Sequence, residues 1–159
     1  MCGIVGYVGK KDCTKVLLDS LSKLEYRGYD SAGVAFLNKD KIDIIKKQGK
    51  IKNLKQSLPD LNTNIGIGHT RWATHGVANE TNSHPHKCGK MTIVHNGIIE
   101  NYEEIKRSLI NSGYKFKTET DTEVACALID NIYSEVKDIT KTIEIFQKKA
   151  CNAFGNVLK

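Results

Sequence analysis

A chain of 159 residues with 40% hydrophobic and 26% charged residues has the composition of one folded domain. No apolar run is long enough to cross a bilayer and no secretory signal is recognisable at the N-terminus, so a cytoplasmic location is expected. The net charge of +6 comes from lysines interleaved with acids. This pattern is typical of a solvated surface rather than of a nucleic-acid-binding stripe.

Hydrophobic periodicity predicts strands and helices that alternate along the chain, in an α/β or α+β mixture. The predicted strands cover residues 3–8, 33–37, 42–46, 65–69, 91–94 and 114–117. The predicted helices cover residues 12–26, 51–58, 101–111 and 139–150, and a further helix opens at residues 120–123. Val157 and Leu158 look like the start of another strand, which suggests that the chain is a fragment.

The first candidate functional residue is Cys2, which becomes N-terminal if Met1 is removed. It would then carry a thiol and a free α-amine. An α-amine has a pKa of about 7.7–8.0, so it could accept the thiol proton near neutral pH. This combination is typical of an acyl-transfer nucleophile. Alternatively, Cys2 is a small apolar residue of the first strand, because cysteines are often simply buried.

A polar cluster at the end of the strand at residues 91–94 could complete such a site. The side-chain amide of Asn96 and the backbone N–H of Gly97 could both donate to a developing oxyanion. Glycine there would let the backbone approach a ligand closely. Alternatively, Asn-Gly forms a plain turn, for which this dipeptide is a strong signal.

A second polar cluster follows the fourth predicted strand. Arg71 could bind a carboxylate through its planar guanidinium, and Thr74 could add a hydroxyl donor. Asp121 could hold an ammonium group, so that these residues would bind both ends of a free α-amino acid. Alternatively, Arg71 forms a surface salt bridge and Asp121 favours the start of a helix. Trp72 could cover the pocket, or it could lie in the core.

The histidines and the other cysteines give weaker signals. His84 and His86 could ligate zinc, but no third ligand is suitably spaced, so hydrogen bonds within a loop are expected and a metal is not. His75 and His95 are candidate proton-transfer groups, although a terminal amine could replace either. The remaining cysteines are scattered and contain no CxxC pair, so structural roles are expected for Cys13, Cys88, Cys126 and Cys151.

Six motifs together resemble one family. They read CGIVG (2–6), EYRGYDSAG (25–33), HTRWATHG (69–76), HPH (84–86), HNGIIENY (95–102) and TETDTE (118–123). Their order and spacing resemble the glutaminase domain of the glucosamine-6-phosphate synthases, also called isomerising glutamine–fructose-6-phosphate aminotransferases. These domains are class II glutamine amidotransferases. The resemblance to amidophosphoribosyltransferases and asparagine synthetases is poorer, because they lack the paired YRGYDSAG and TRWATHG motifs.

The resemblance implies an α+β fold of the N-terminal nucleophile hydrolase type, a four-layer α-β-β-α sandwich incomplete at the C-terminus. Residues 1–159 would form one partial glutamine amidotransferase domain. Cys2 would attack the side-chain amide of L-glutamine, forming a γ-glutamyl thioester and releasing ammonia, with no cofactor. Asn96 and Gly97 would form the oxyanion hole. Glutamine would be bound by Arg71, Trp72, Thr74, His75 and Asp121, with Arg27 in support.

In this family the ammonia passes to C-terminal sugar-isomerase domains that bind fructose 6-phosphate, and the full-length enzyme is expected to be a homo-oligomer. The sequence contains no counterpart of those domains. Two alternatives stay open: a non-catalytic fragment that at most binds a partner, and an amidotransferase of the same fold that serves another acceptor. Neither nucleic acid nor a membrane is an expected partner.

Overall fold

The computed structural model describes residues 2–59, 61–72 and 77–150. The chain divides into two compact units. The first comprises Met1–Pro85 and Ile93–Asn96, and the second comprises His86–Thr92 and Gly97–Lys159. Both units combine helices with strands, so the predicted mixture of the two is confirmed. Within the described ranges, no helix has the length and apolarity that a membrane span requires.

A four-stranded antiparallel sheet forms the first unit. Its strands are β1 (Gly3–Val8), β2 (Ser31–Asn38), β3 (Lys41–Gln48) and β4 (Ile65–Arg71), in the order β1-β4-β2-β3. All four were predicted, although β2, β3 and β4 are longer than expected. Because β4 runs two residues beyond the predicted end, Arg71 belongs to the sheet and pairs with Ser31 of β2.

Two helices cover one face of this sheet. Helix α1 (Cys13–Leu24) begins after Asp12, whose carboxylate accepts the Thr14 N–H at 2.9 Å, a typical N-cap. The α-helix ends two residues before the predicted Tyr26, and a 3₁₀ turn, Glu25–Arg27, continues the chain. With helix α2 (Ile51–Ser57), α1 encloses a core of Cys13, Leu17, Leu18, Leu21, Ala32, Val34, Phe36, Ile51 and Leu54.

Glycines in β4 let α1 pack closely against the sheet. A Cβ atom at Gly66 would lie 2.8 Å from the Cys13 sulfur and 2.8 Å from the Ala35 carbonyl oxygen, and one at Gly68 would lie 2.8 Å from a Leu21 methyl group. These separations are shorter than van der Waals contact. The missing side chains therefore allow the contact that buries the helix.

The second unit contains a two-stranded sheet and three helices. The strands are β5 (His86–Cys88) and β6 (Met91–Ile93). The last residue of β6, Ile93, is assigned to the first unit. The helices are α3 (Tyr102–Asn111), α4 (Asp121–Val136) and α5 (Ile139–Lys149). Helix α4 is capped by the Thr120 hydroxyl, which accepts the Glu123 N–H at 3.3 Å.

Two sequence-based expectations for this unit are wrong. Residues 114–117 form no strand, because the Lys117 N–H donates to the Glu123 carboxylate rather than to a neighbouring strand. Strand β5 lies where a loop was expected. Helix α5 was predicted, and in it Thr142 is buried whereas Ile143 is exposed. The strand suggested around Val157 lies outside the described residues.

The packing of α1 against β4 predicts that Gly66→Ala destabilises the fold. The added methyl group would force the helix or β2 to shift, which typically costs about 1–3 kcal/mol. Gly6→Ala is the matched control, because the nearest atom to its added Cβ would be 3.9 Å away. Urea unfolding measures both. Equal stability of the two variants would contradict the proposed close packing.

Candidate functional site

Cys2 lies beside the end of β4. Its sulfur accepts the Trp72 N–H at 3.4 Å, and its thiol is 3.8 Å from the Trp72 carbonyl oxygen, to which it can donate. The next residue is also fixed, because the Gly3 N–H donates to the Thr70 hydroxyl at 3.0 Å. The half-buried thiol is therefore held against the backbone of Trp72, which is 70 residues away in sequence.

Arg71 is buried at the end of β4, with only 4% of its surface exposed. Side chains alternate along a strand, so Arg71 and His69 share the face opposite α1, whereas Thr70 faces the helix side with Gly66 and Gly68. One guanidinium nitrogen of Arg71 donates to the Val77 carbonyl at 3.2 Å. The surface-salt-bridge interpretation of Arg71 is wrong, because the residue is not at the surface.

Trp72 is 45% exposed, so its interpretation as a core residue is also wrong. Its ring meets Tyr29 edge to face, with 5.4 Å between the ring centroids and an interplanar angle of 80°. Gly28, in the same motif as Tyr29, explains how the two segments approach. A Cβ atom there would lie 2.9 Å from the Arg71 carbonyl carbon and 3.1 Å from the Trp72 nitrogen.

The side chain of Asn96 lies close to Cys2. Its amide nitrogen donates to the Cys2 carbonyl oxygen at 3.3 Å, across 94 residues of sequence. The structure therefore brings together three of the predicted site residues, Cys2, Trp72 and Asn96. Arg71 directly precedes Trp72 in the sequence. The side chain of Asn96 is exposed, as a group that donates to an incoming ligand must be.

A histidine pair lies next to these residues, and the sequence did not predict it. The rings of His69 and His84 stack, with centroids 4.1 Å apart and an interplanar angle of 13°. The His69 Nε2 atom is 3.0 Å from the His95 carbonyl oxygen, and the His95 N–H donates to the His84 Nδ1 atom at 3.2 Å. Burial lowers the pKa of His69 to about 4, although its hydrogen bond to His95 opposes that shift.

The other predicted site residues are distributed as follows. Arg27 ends the 3₁₀ turn of the first unit and is half-buried. Gly97 and Asp121 belong to the second unit. Asp121 opens α4, as its helix-start interpretation predicts, and its carboxylate accepts the Ile99 N–H at 2.8 Å. Thr74 and His75 lie outside the described residues.

His84 and His86 form hydrogen bonds, as predicted. His84 contacts His95, and the His86 Nε2 atom is 3.1 Å from the Thr120 hydroxyl. In the part of the chain that the structure describes, no three His, Cys, Asp or Glu side chains form a group that could hold a metal ion.

The surroundings of the other described cysteines are those of structural residues rather than of nucleophiles. Burial and the Asp12 carboxylate raise the pKa of the Cys13 thiol to about 11, so this core cysteine is a poor nucleophile at neutral pH. A hydrogen bond between Cys88 and Cys126 lowers the pKa of Cys88 and, together with burial, raises that of Cys126. Cys151 lies outside the described residues.

The chain belongs to the glutamine amidotransferase domain family, whose model matches residues 60–143. It is also similar to proteins named glutamine–fructose-6-phosphate aminotransferase [isomerizing]. It is 56% identical over 137 residues to the protein of that name from Clostridium acetobutylicum. The alignment covers 84% of this chain and 22% of the relative. It is 54% identical over 153 residues to the protein of that name from Clostridium perfringens. That alignment covers 91% of this chain and 25% of the relative. The chain thus spans about a quarter of these relatives' length.

Two solved structures share the fold. One is described as the allosteric regulatory enzyme of purine biosynthesis, with a TM-score of 0.82 and 27% identity over 96% of this chain and 34% of that one. The other is the glutamine phosphoribosylpyrophosphate amidotransferase of B. subtilis, complexed with ADP and GMP. Its TM-score is 0.80 and its sequence identity is 25%. The match covers 96% of this chain and 33% of that one. These likenesses confirm the predicted α+β fold of the N-terminal nucleophile hydrolase type.

The buried His69 predicts that stability falls in mild acid. Because its pKa is about 4 in the folded chain and 6.5 as a model value, the unfolded chain binds a proton more readily between these pH values. Lowering the pH through this window therefore destabilises the fold, by up to about 3 kcal/mol at about 1.4 kcal/mol per pKa unit. Arg71 and His95, which face His69, add to the penalty on its charged form.

Urea unfolding at pH 7.5, 5.5 and 4.5 measures this effect in the wild-type chain and in His69→Gln, which cannot titrate. The wild-type chain should lose more stability than the variant, since the other titrating groups are common to both. Equal losses in the two chains would show that His69 does not carry the effect.

Proposed function

We propose that this chain is the glutaminase part of a glutamine–fructose-6-phosphate aminotransferase and that it hydrolyses L-glutamine to glutamate and ammonia. The family and the relatives at 56% and 54% identity support this proposal. The observation that carries it is the contact between Asn96 and Cys2. It places a neutral amide donor beside the one cysteine that can use a terminal amine as its base.

The proposed reaction begins after removal of Met1. The α-amine of Cys2 accepts the thiol proton, and the sulfur attacks the side-chain amide carbon of glutamine. The resulting oxyanion accepts hydrogen bonds from the Asn96 side chain and the Gly97 N–H. An asparagine amide has two N–H donors, so one can remain on the Cys2 carbonyl while the other binds the oxyanion. Collapse of the intermediate expels ammonia, which takes the proton held by the amine.

Water completes the proposed cycle. With the amine again as base, water attacks the carbonyl carbon of the γ-glutamyl thioester, the C–S bond breaks, and glutamate leaves with the thiol restored. Trp72, which is exposed beside Cys2, is suited to cover the glutamine and limit the access of water before ammonia has left.

Substrate recognition is proposed to use both ends of the amino acid. Arg71 is a buried, planar cation on the same strand end as Trp72, and it would bind the α-carboxylate. Thr74 would add a donor to that carboxylate, and His75 would also contact the substrate. Asp121 and the Gly97 carbonyl would hold the α-ammonium group. The roles of Thr74, His75, Asp121 and Gly97 rest on the sequence resemblance.

The acceptor is proposed to be fructose 6-phosphate, converted to glucosamine 6-phosphate by sugar-isomerase domains of a longer protein. The higher identity to the fructose-6-phosphate enzymes, 56% against 27% and 25% for the two solved structures, favours this acceptor. Residues 1–159 would then be part of a glutamine amidotransferase domain. The longer protein is proposed to be cytoplasmic and, as the sequence resemblance implies, a homo-oligomer.

Covalent labelling tests the nucleophile. An electrophilic glutamine analogue should label the processed chain stoichiometrically at Cys2, because bond formation needs both the thiol and a formed glutamine site. Intact-mass spectrometry and peptide mapping measure the label and confirm the loss of Met1. Cys2→Ala should abolish labelling, whereas Cys13→Ala should not. A folded, processed chain that takes up no label would contradict glutaminase competence, and the non-catalytic alternative would then stand.

Arg71→Met should weaken binding of the same analogue, because it removes the proposed partner of the α-carboxylate. Loss of one member of a buried charged pair costs about 2–5 kcal/mol, so half-saturation of labelling should rise at least roughly 30-fold. Arg107→Met is the matched control. Arg107 is on α3, its side chain is 80% exposed, and it pairs with Glu103 at 3.6 Å. Unchanged half-saturation in Arg71→Met would refute the carboxylate role.

A further inference from the structure

We propose that His69 and His84 clamp the backbone of His95 and thereby position the Asn96 amide beside Cys2. These three histidines are called the His95 clamp below. Their role is one of positioning, since the two imidazoles contact the backbone before Asn96 rather than the thiol. The catalytic consequence rests on the proposed glutaminase function, whereas the clamp itself does not.

The two hydrogen bonds hold both polar backbone groups of one residue. His69 reaches the His95 carbonyl oxygen at 3.0 Å, and His84 reaches the His95 N–H at 3.2 Å. These groups belong to the two peptide units on either side of the His95 Cα atom. Holding both peptide groups restricts φ and ψ of His95. These angles set where Asn96 lies and how it is oriented.

The contacts also assign the proton on each ring. A carbonyl oxygen only accepts, so the His69 Nε2 atom must carry a proton. A backbone N–H only donates, so the His84 Nδ1 atom must present its lone pair. A neutral His84 ring therefore carries its proton on Nε2. Both imidazoles are neutral Nε2–H tautomers, which lets them stack without charge repulsion.

Burial and packing fix the clamp in place. His69 is 1% exposed and His84 is 6% exposed. Gly33 of β2 pairs with His69 of β4, and a Cβ atom at Gly33 would clash with the His84 carbonyl. The missing side chain leaves the space in which the His84 backbone lies. Asn96, in contrast, is exposed, so its own packing cannot hold it as tightly as the clamp holds His95.

Matched substitutions separate the hydrogen bonds from the packing. Asparagine at position 84 keeps an acceptor near the position of the imidazole Nδ1 atom, whereas leucine has a similar shape and no acceptor. Glutamine at position 69 keeps a donor near the position of Nε2, whereas methionine has a similar length and no donor. The disruptive variants are thus His84→Leu and His69→Met, and the rescue variants are His84→Asn and His69→Gln.

Nuclear magnetic resonance of the full chain tests the clamp without relying on any activity. Nitrogen-15 spectra should show both imidazoles as Nε2–H tautomers at pH 7.5. Exchange of the His95 N–H should accelerate at least about tenfold in His84→Leu and stay near the wild-type rate in His84→Asn. The Asn96 side-chain amide signals should shift in His84→Leu and His69→Met but not in the rescue variants.

A rate ratio tests the consequence for the proposed reaction. The rate of Cys2 labelling by the glutamine analogue is divided by the rate with iodoacetamide, which needs no oxyanion donor. The ratio should fall at least about tenfold in His84→Leu and His69→Met, because a donor misplaced by about 1 Å loses much of its effect. It should return towards the wild-type value in His84→Asn and His69→Gln.

Several results would overturn the proposal. A proton on the His84 Nδ1 atom or an unprotected His95 N–H in the wild-type chain would refute the clamp, even if a disruptive variant failed to fold. Equal losses with both reagents, or Asn96 signals that do not move, would refute the positioning role. A wild-type chain that reacts with iodoacetamide but not with the analogue would refute the glutaminase proposal alone, and the resonance measurements would still decide the clamp.

Discussion

The alternation of side chains along β4 determines where the groups of the first unit can lie. Gly66 and Gly68 face α1 and let the helix approach the strand, so the core can close on that side. His69 and Arg71 consequently face the other side, because successive side chains of a strand point in opposite directions. A shift of one residue in register would exchange the two sets and bury the polar groups against the helix.

The same strand fixes the N-terminus. β4 pairs with β1 in a register that sets Gly3 opposite Thr70, and the Thr70 hydroxyl accepts the Gly3 N–H. Cys2 is therefore carried to the Trp72 backbone by strand pairing rather than by a flexible tail. Rigid elements position functional groups more precisely than loops do, so this arrangement suits a nucleophile that must meet fixed donors.

Local sequence patterns predicted most elements of the first unit but few of its contacts. The strands and α1 follow from period-2 and period-3.6 hydrophobicity. In the second unit, strand β5 was missed because its residues, His86–Cys88, include no β-branched residue that would signal a strand. Residues 114–117 looked like a strand, but the Lys117 N–H donates to the Glu123 carboxylate. A hydrogen bond from the backbone to a side chain of this kind cannot be read from a hydrophobic pattern.

The candidate site shows the same division. Residue types identified Cys2, Asn96 and Arg71, because acyl transfer and carboxylate binding need those groups. Exposure decided between the alternatives for Trp72, and only coordinates could decide it. The stacking of His69 on His84 was invisible because 15 residues separate the two in sequence. The glycine opposite His69, Gly33, was read as part of a motif rather than as space for His84.

The chemistry of imidazole explains why histidines, rather than amides, are suited to hold His95. A neutral imidazole offers one donor and one acceptor on a flat, partly apolar ring. Among the described residues, His69 leaves only its Nδ1 atom without a hydrogen-bond partner. A buried glutamine would bring two N–H donors and an oxygen, and each unpaired group would cost about 1–3 kcal/mol. Two stacked neutral rings thus hold the His95 backbone and leave few buried polar atoms without a hydrogen bond. This requires that neither ring gains a second proton.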